Sequence, residues 1–106
     1  MPKYLIQASY SPEGLKGVIK DKASGRKAAI EKALASVGGK LESMHYSFGK
    51  YDVVLIVEAP DNVSVAALNF GVCSTGLART TTTPLLTIEE TDKVIKKTVT
   101  YKAPGQ

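Results

Sequence analysis

The chain has no tryptophan, one cysteine, one histidine and two phenylalanines among its 106 residues. A single cysteine, Cys73, excludes an intrachain disulfide framework and any zinc site built on cysteine pairs, and makes a reducing compartment the simplest expectation. A single histidine, His45, excludes a multi-histidine metal site within one chain. No apolar run approaches the ~20 residues that cross a bilayer. The short stretch Leu5-Ile6 is not followed by a signal-peptide cleavage pattern. The expectation is therefore a cytoplasmic protein with no membrane partner. No P-loop, dinucleotide fingerprint, serine nucleophile elbow or metal-ligand cluster occurs, so no cofactor is expected.

What is present is the make-up of one globular domain spanning residues 1–106, with 43% hydrophobic and 23% charged residues and no linker-like segment. At this size roughly a third of the unfolded chain's surface stays wet, so pairing with a second copy is a ready way to gain burial. Fourteen Lys and Arg against ten Asp and Glu give a formal charge of +4. The densest basic run carries Lys16, Lys20, Lys22, Arg26, Lys27 and Lys32, but Asp21 and Glu31 dilute it and no aromatic residue interleaves it. That pattern fits the outer face of an amphipathic helix, and no nucleic-acid partner is expected.

Residues 3–10 read as a strand. Ser11 as N-cap, Pro12 at the first helical position and Glu13 in the first turn open a helix whose face is Leu15, Val18 and Ile19. A break or bend falls at Lys22-Ala23-Ser24-Gly25, and a second helical stretch over 26–37 presents Ile30, Leu34 and Val37 before Gly38-Gly39 stops it. Strands over 40–48 and 52–58 form a hairpin around Gly49-Lys50-Tyr51. Asp61 or Asn62 caps a helix through Cys73 that stops at Gly76 and is apolar on nearly every side, which implies burial against a sheet and a subunit neighbour. A Thr-rich strand covers 77–85, and Pro84 places that end at a sheet edge or strand end. Thr87-Ile88-Glu89-Glu90 is a capping box opening a helix that finishes on Lys96-Lys97. Residues 97–106 form an extended C-terminal arm whose Val99 and Tyr101 could dock on this subunit or a partner.

The order predicts an α+β domain: a ferredoxin-like βαββαβ unit with a four-stranded antiparallel sheet and an extra C-terminal helix. Both main helices cover one sheet face, and the other needs a covering. A two-residue turn at Gly49-Lys50 would pair Phe48 with Tyr51, Tyr46 with Val53 and Met44 with Leu55 on the helix side. Leu41, Ser43, His45 and Ser47 would then share the open face with Asp52, Val54, Ile56 and Glu58. With Gln7 and Ser9 from the first strand, this face gathers Gln7, Ser9, Ser43, His45 and Asp52 toward one concavity.

His45 and Asp52, as diagonal cross-strand neighbours, could act as a general base and its orienting partner on a small acidic C–H or O–H substrate. The plainer readings are a structurally bonded histidine and an aspartate accepting N–H groups beside a turn. Tyr10, Tyr46 and Tyr51 read as core or interface, and Cys73 as a small packed hydrophobe. Thr81 and Arg79 reach the same concavity only if the parity of the Thr80–Thr83 run allows it, and sequence leaves that parity open.

The segments Pro2-Lys3-Tyr4-Leu5-Ile6, Ser9-Tyr10-Ser11-Pro12-Glu13-Gly14-Leu15, Gly38-Gly39-Lys40-Leu41-Glu42, Phe48-Gly49-Lys50-Tyr51-Asp52-Val53-Val54 and Arg79-Thr80-Thr81-Thr82-Thr83-Pro84-Leu85 resemble the GYD domain family over essentially the whole chain. The Gly-Tyr-Asp signature falls on Gly49, Tyr51 and Asp52, with Lys50 between Gly and Tyr. The resemblance implies a bacterial-type protein of the dimeric α+β barrel group, which includes cofactor-independent monooxygenases, isomerases and ligand sensors, but it assigns no activity. Three functions stay open. The first is a small-molecule-binding homodimer or higher oligomer, with its pocket between the open sheet face and a partner, lined by Gln7, Ser9, Ser43 and Thr81. The second is a cofactor-independent isomerase or monooxygenase with His45 as base and Asp52 beside it. The third is a non-catalytic oligomerisation module.

Overall fold

A computed structural model describes residues 1–106. The chain runs β1 (Lys3–Tyr10), α1 (Pro12–Ser36), β2 (Lys40–Tyr46), β3 (Val53–Glu58), α2 (Asn62–Cys73), β4 (Ala78–Leu85) and α3 (Ile88–Lys96). It is an α+β protein with one four-stranded antiparallel sheet, open on one face, and three helices. The strands lie in the order β2-β3-β1-β4. The Pro84-bearing strand β4 is thus an edge strand, as its missing N–H requires.

Alternation along the two central strands builds the core. Tyr4, Ile6 and Ala8 of β1 and Val53, Leu55 and Val57 of β3 are buried on the helix side, joined by Leu34 of α1 and Val65 and Leu68 of α2. Fully burying a side chain such as Leu34 or Val57 contributes about 1.5–3 kcal/mol. Helix α1 packs against β2 and β1, and α2 against β4.

The helix caps follow the sequence. The Ser11 side chain accepts from Gly14 N–H, Asp61 from Ser64 N–H, and Thr87 with Glu90 completes the reciprocal capping box of α3. The expected break in the first helix is a kink at Lys22, where the backbone sits at φ 64° and ψ 162° inside one helix that continues to Ser36.

Three predicted placements are corrected. Helix α1 is phased differently in its first half: Leu15 and Ile19 are exposed, and Gly14, Gly17 and Val18 face inward. The kink at Lys22 sets the first half's rotation independently of the second, where Ile30 and Leu34 do face the core. Strand β2 stops at Tyr46, so Phe48 does not join the helix-side row and is fully exposed. Ser47 N–H and Oγ instead bond the carbonyls of Asp52 and Tyr51, closing a wider connection. Finally, the pairs Tyr46–Val53 and Met44–Leu55 form as predicted, but a bulge at Glu42 shifts the register so that Leu41 pairs with Val57. One extra residue moves a side chain to the opposite face. Leu41 therefore packs against the core, not on the open face. Helix α2 ends at Cys73, ahead of Gly76, whose φ of 73° belongs to the following turn.

Candidate functional site

The register places Gln7, Ser9, Ser43, His45 and Thr81, while Asp52 lies just ahead of β3. Thr81, Gln7, Val54 and His45 form one row across the open face, and Thr83, Leu5, Ile56 and Ser43 form the next. Ser9 lies opposite Arg79 on β4. The parity of the threonine run is now fixed. Arg79, Thr81 and Thr83 are on the open face, while Thr80 and Thr82 turn inward to Cys73 Sγ and the Asn69 amide.

Strand spacing decides how far this row acts as a site. Neighbouring strands are about 4.8 Å apart, so His45 on β2 lies roughly 10 Å from Gln7 and 14 Å from Thr81. Gln7 and Thr81 are direct neighbours; His45 is separated from them by Val54. Gln7, Ser43, His45 and Thr81 line a surface with an apolar centre of Leu5, Val54 and Ile56. Lys3 on this face bonds Glu42 at 2.7 Å, and that bond, with the carboxylate's charge, raises the Lys3 pKa.

Asp52 and Ser9 hold the β2–β3 connection. The Asp52 carboxylate accepts Tyr10 N–H at 2.8 Å, and Asp52 N–H donates to the Ala8 carbonyl at 2.8 Å, so a side chain continues the ladder where β1 ends. Ser9 Oγ donates to the Lys50 carbonyl at 2.9 Å. No hydrogen bond or ion pair joins His45 to Asp52. His45 is exposed.

A half-open cleft lies on the other side of the sheet. With α1 against β2 and β1, and α2 against β4, the two helices stand apart over the middle of the sheet. Between them is a cleft of about 540 Å³, and 15 of its 24 lining residues are hydrophobic. Its floor is Ile6, Ala8, Val53 and Leu55. Small residues line part of its walls: Gly17 and Ala33 from α1, and Ala67 and Gly71 from α2. A Cβ on Gly17 or Gly71 would meet nothing within 4 Å.

The polar groups of the cleft are few. Arg26 and Asp21, either side of the Lys22 kink, pair at 3.5 Å. Tyr10 lines the cleft, and Tyr46 lies beside it, its hydroxyl pushed up to about 12 by partial burial first and by Tyr10 second. A mostly apolar chamber of this volume with a sparse polar rim is the form small-molecule sites take. No group of three or more His, Cys, Asp or Glu side chains is placed to hold a metal ion. No helix is long and apolar enough to cross a membrane.

None of the six residues picked from sequence lines this cleft. The signal for it is Gly17, on the helix face that lines the cleft, where a packed helix would carry a larger side chain.

In comparison with known proteins, the family model described as GYD domain matches residues 4–95. No curated protein and no solved structure matches the chain.

Proposed function

The chain belongs to the GYD domain family, and from that premise we propose that it binds a small, mostly apolar molecule in the cleft between α1 and α2 and works as a homo-oligomer. The observation that carries this reading is the 540 Å³ cleft over the centre of the sheet. Its volume falls within the roughly 300–1,000 Å³ of ligand pockets, and its floor offers burial without a polar penalty. In this reading the βαββαβ unit is ferredoxin-like, and two copies packed sheet to sheet make a dimeric α+β barrel. Leu5, Val54 and Ile56 support that packing as the apolar centre of the interface, with Gln7, Ser43, His45 and Thr81 around it.

The test fills the cleft from Gly17, where a larger side chain has room. N-phenyl-1-naphthylamine, a neutral apolar fluorophore, should bind the wild-type chain with enhanced emission. Gly17→Phe should weaken binding at least tenfold while keeping the helical circular dichroism and the melting temperature. Unchanged dye affinity in a folded Gly17→Phe variant would remove the cleft as the site.

A further inference from the structure

Helix α3 is nine residues long, buries none of them, and leaves Ile88 and Ile95 81% and 73% exposed. A helix this short is marginal in water even with good caps, and most helical stability in proteins comes from packing an apolar face. Ile88 and Ile95 are seven residues apart and so lie two turns apart along one seam, with Val94 and the half-buried Thr91 to one side of it. The seam has no cover within the chain.

The chain as a whole, with its open sheet face, α3 and the exposed residues 97–106, shows more surface than a compact monomer, which leaves room for contact with a second copy. The accessible surface is 7625 Å². A compact monomer of 11.3 kDa would expose about 5,700 Å², leaving an excess of roughly 1,900 Å² per chain. Large permanent interfaces bury about 1,000–2,500 Å² per partner. The radius of gyration, 16.8 Å, likewise exceeds the roughly 13 Å expected of a compact chain of this length.

Charge says which part of the second copy. The first turn of α3 carries Glu89 and Glu90, and the last carries Lys93 and Lys96. A two-fold axis brings residue i to j and j to i, so a helix acidic at its start and basic at its end complements itself only when antiparallel. With Ile88 laid over Ile95 of the second copy, Glu89 on the flank of the seam falls beside the other copy's Lys96, twice by symmetry, two opposite-charge pairs set against the single like-charge pair of Asp92 and its mate near the axis.

We propose that α3 is a self-association helix: it pairs antiparallel with α3 of a second copy through the Ile88–Ile95 seam, and the Glu89–Lys96 pairs fix the direction. The contact is separate from the open sheet face and does not depend on ligand binding in the cleft. Where both contacts form, they link chains into an assembly larger than a dimer.

The test is charge exchange in the full chain, read by sedimentation velocity. Glu89→Lys sets a lysine against the second copy's Lys96, and Lys96→Glu sets a glutamate against its Glu89. Each variant alone should associate at least tenfold more weakly than the wild type, and an equimolar mixture should recover the wild-type mass. Asp92→Cys, near the axis and made together with Cys73→Ser, should form a disulfide-linked dimer under mild oxidation. That link should persist when Val54→Lys disrupts the sheet face. Variants that keep the wild-type mass, a mixture that stays dissociated, or an Asp92→Cys chain that does not cross-link would each overturn the proposal.

Discussion

Two glycines three residues apart on α1 carry opposite constraints. A Cβ on Gly14 would overlap the Leu77 carbonyl, the same group that accepts Ser11 N–H at 2.9 Å, so helix and α2–β4 connection touch there backbone to backbone. Gly17 faces empty cleft. Gly14→Ala should therefore destabilise the fold by about 1–3 kcal/mol through forced backbone movement. Gly17→Ala should stabilise it by about 0.5–1 kcal/mol, because alanine loses less backbone freedom in a helix. Urea melts of the two variants check the signs. Lys22 makes a related case: its φ of 64° and ψ of 162° belong to a region that only glycine occupies freely. Lys22→Gly should raise stability by about 1 kcal/mol, and a loss would show that the lysine side chain holds the kink. Of the two readings of Asp52, the acceptor of an N–H group beside a turn is the one that is seen, and it was legible from the residue's place. Its bond to Tyr10 N–H continues the ladder where β1 ends.

At the scale of elements, the caps were the most legible features because they are local. Ser11, Asp61 and the Thr87–Glu90 box each depend on contacts within four residues, and all formed. The hydrogen bond from Thr87 N–H holds the Glu90 carboxyl below its usual range. A depressed folded value means the unfolded chain binds the extra proton first. The contribution is thus complete above the ordinary carboxylate value, near pH 4.3, and is lost as pH falls through the lower folded value. Amide exchange in α3 should accelerate over that acid window, and Glu90→Gln, which keeps the reach without the charge, should flatten the response. The β2 parity and the phase of α1 were less legible, for non-local reasons. A bulge at Glu42 adds one residue against β3, and the kink at Lys22 uncouples two halves of one helix. Neither leaves a periodic trace in the sequence, so Leu41, Leu15 and Ile19 were assigned to the wrong faces.

For the whole molecule, the element order and the antiparallel sheet followed from turn and cap signals, whereas the cleft depended on how far two helices stand apart. Its walls carry the small residues Gly17, Ala33, Ala67 and Gly71, which come from elements distant in sequence. Sequence reasoning weighted the polar residues of the open face, a site that a second copy would have to close, and gave no account of the cleft on the other side. Small-angle scattering at micromolar concentration should give a mass above one chain, and Val54→Lys, which puts a charge at the apolar centre of the open face, should lower it. The most direct measurement of the central claim is a methyl-labelled NMR titration with N-phenyl-1-naphthylamine. Binding in the cleft predicts shifts at Ile6, Ile30, Leu55 and Leu68, with Leu5, Val54 and Ile56 unmoved. Shifts confined to the open-face methyls, with the cleft methyls silent, would contradict it.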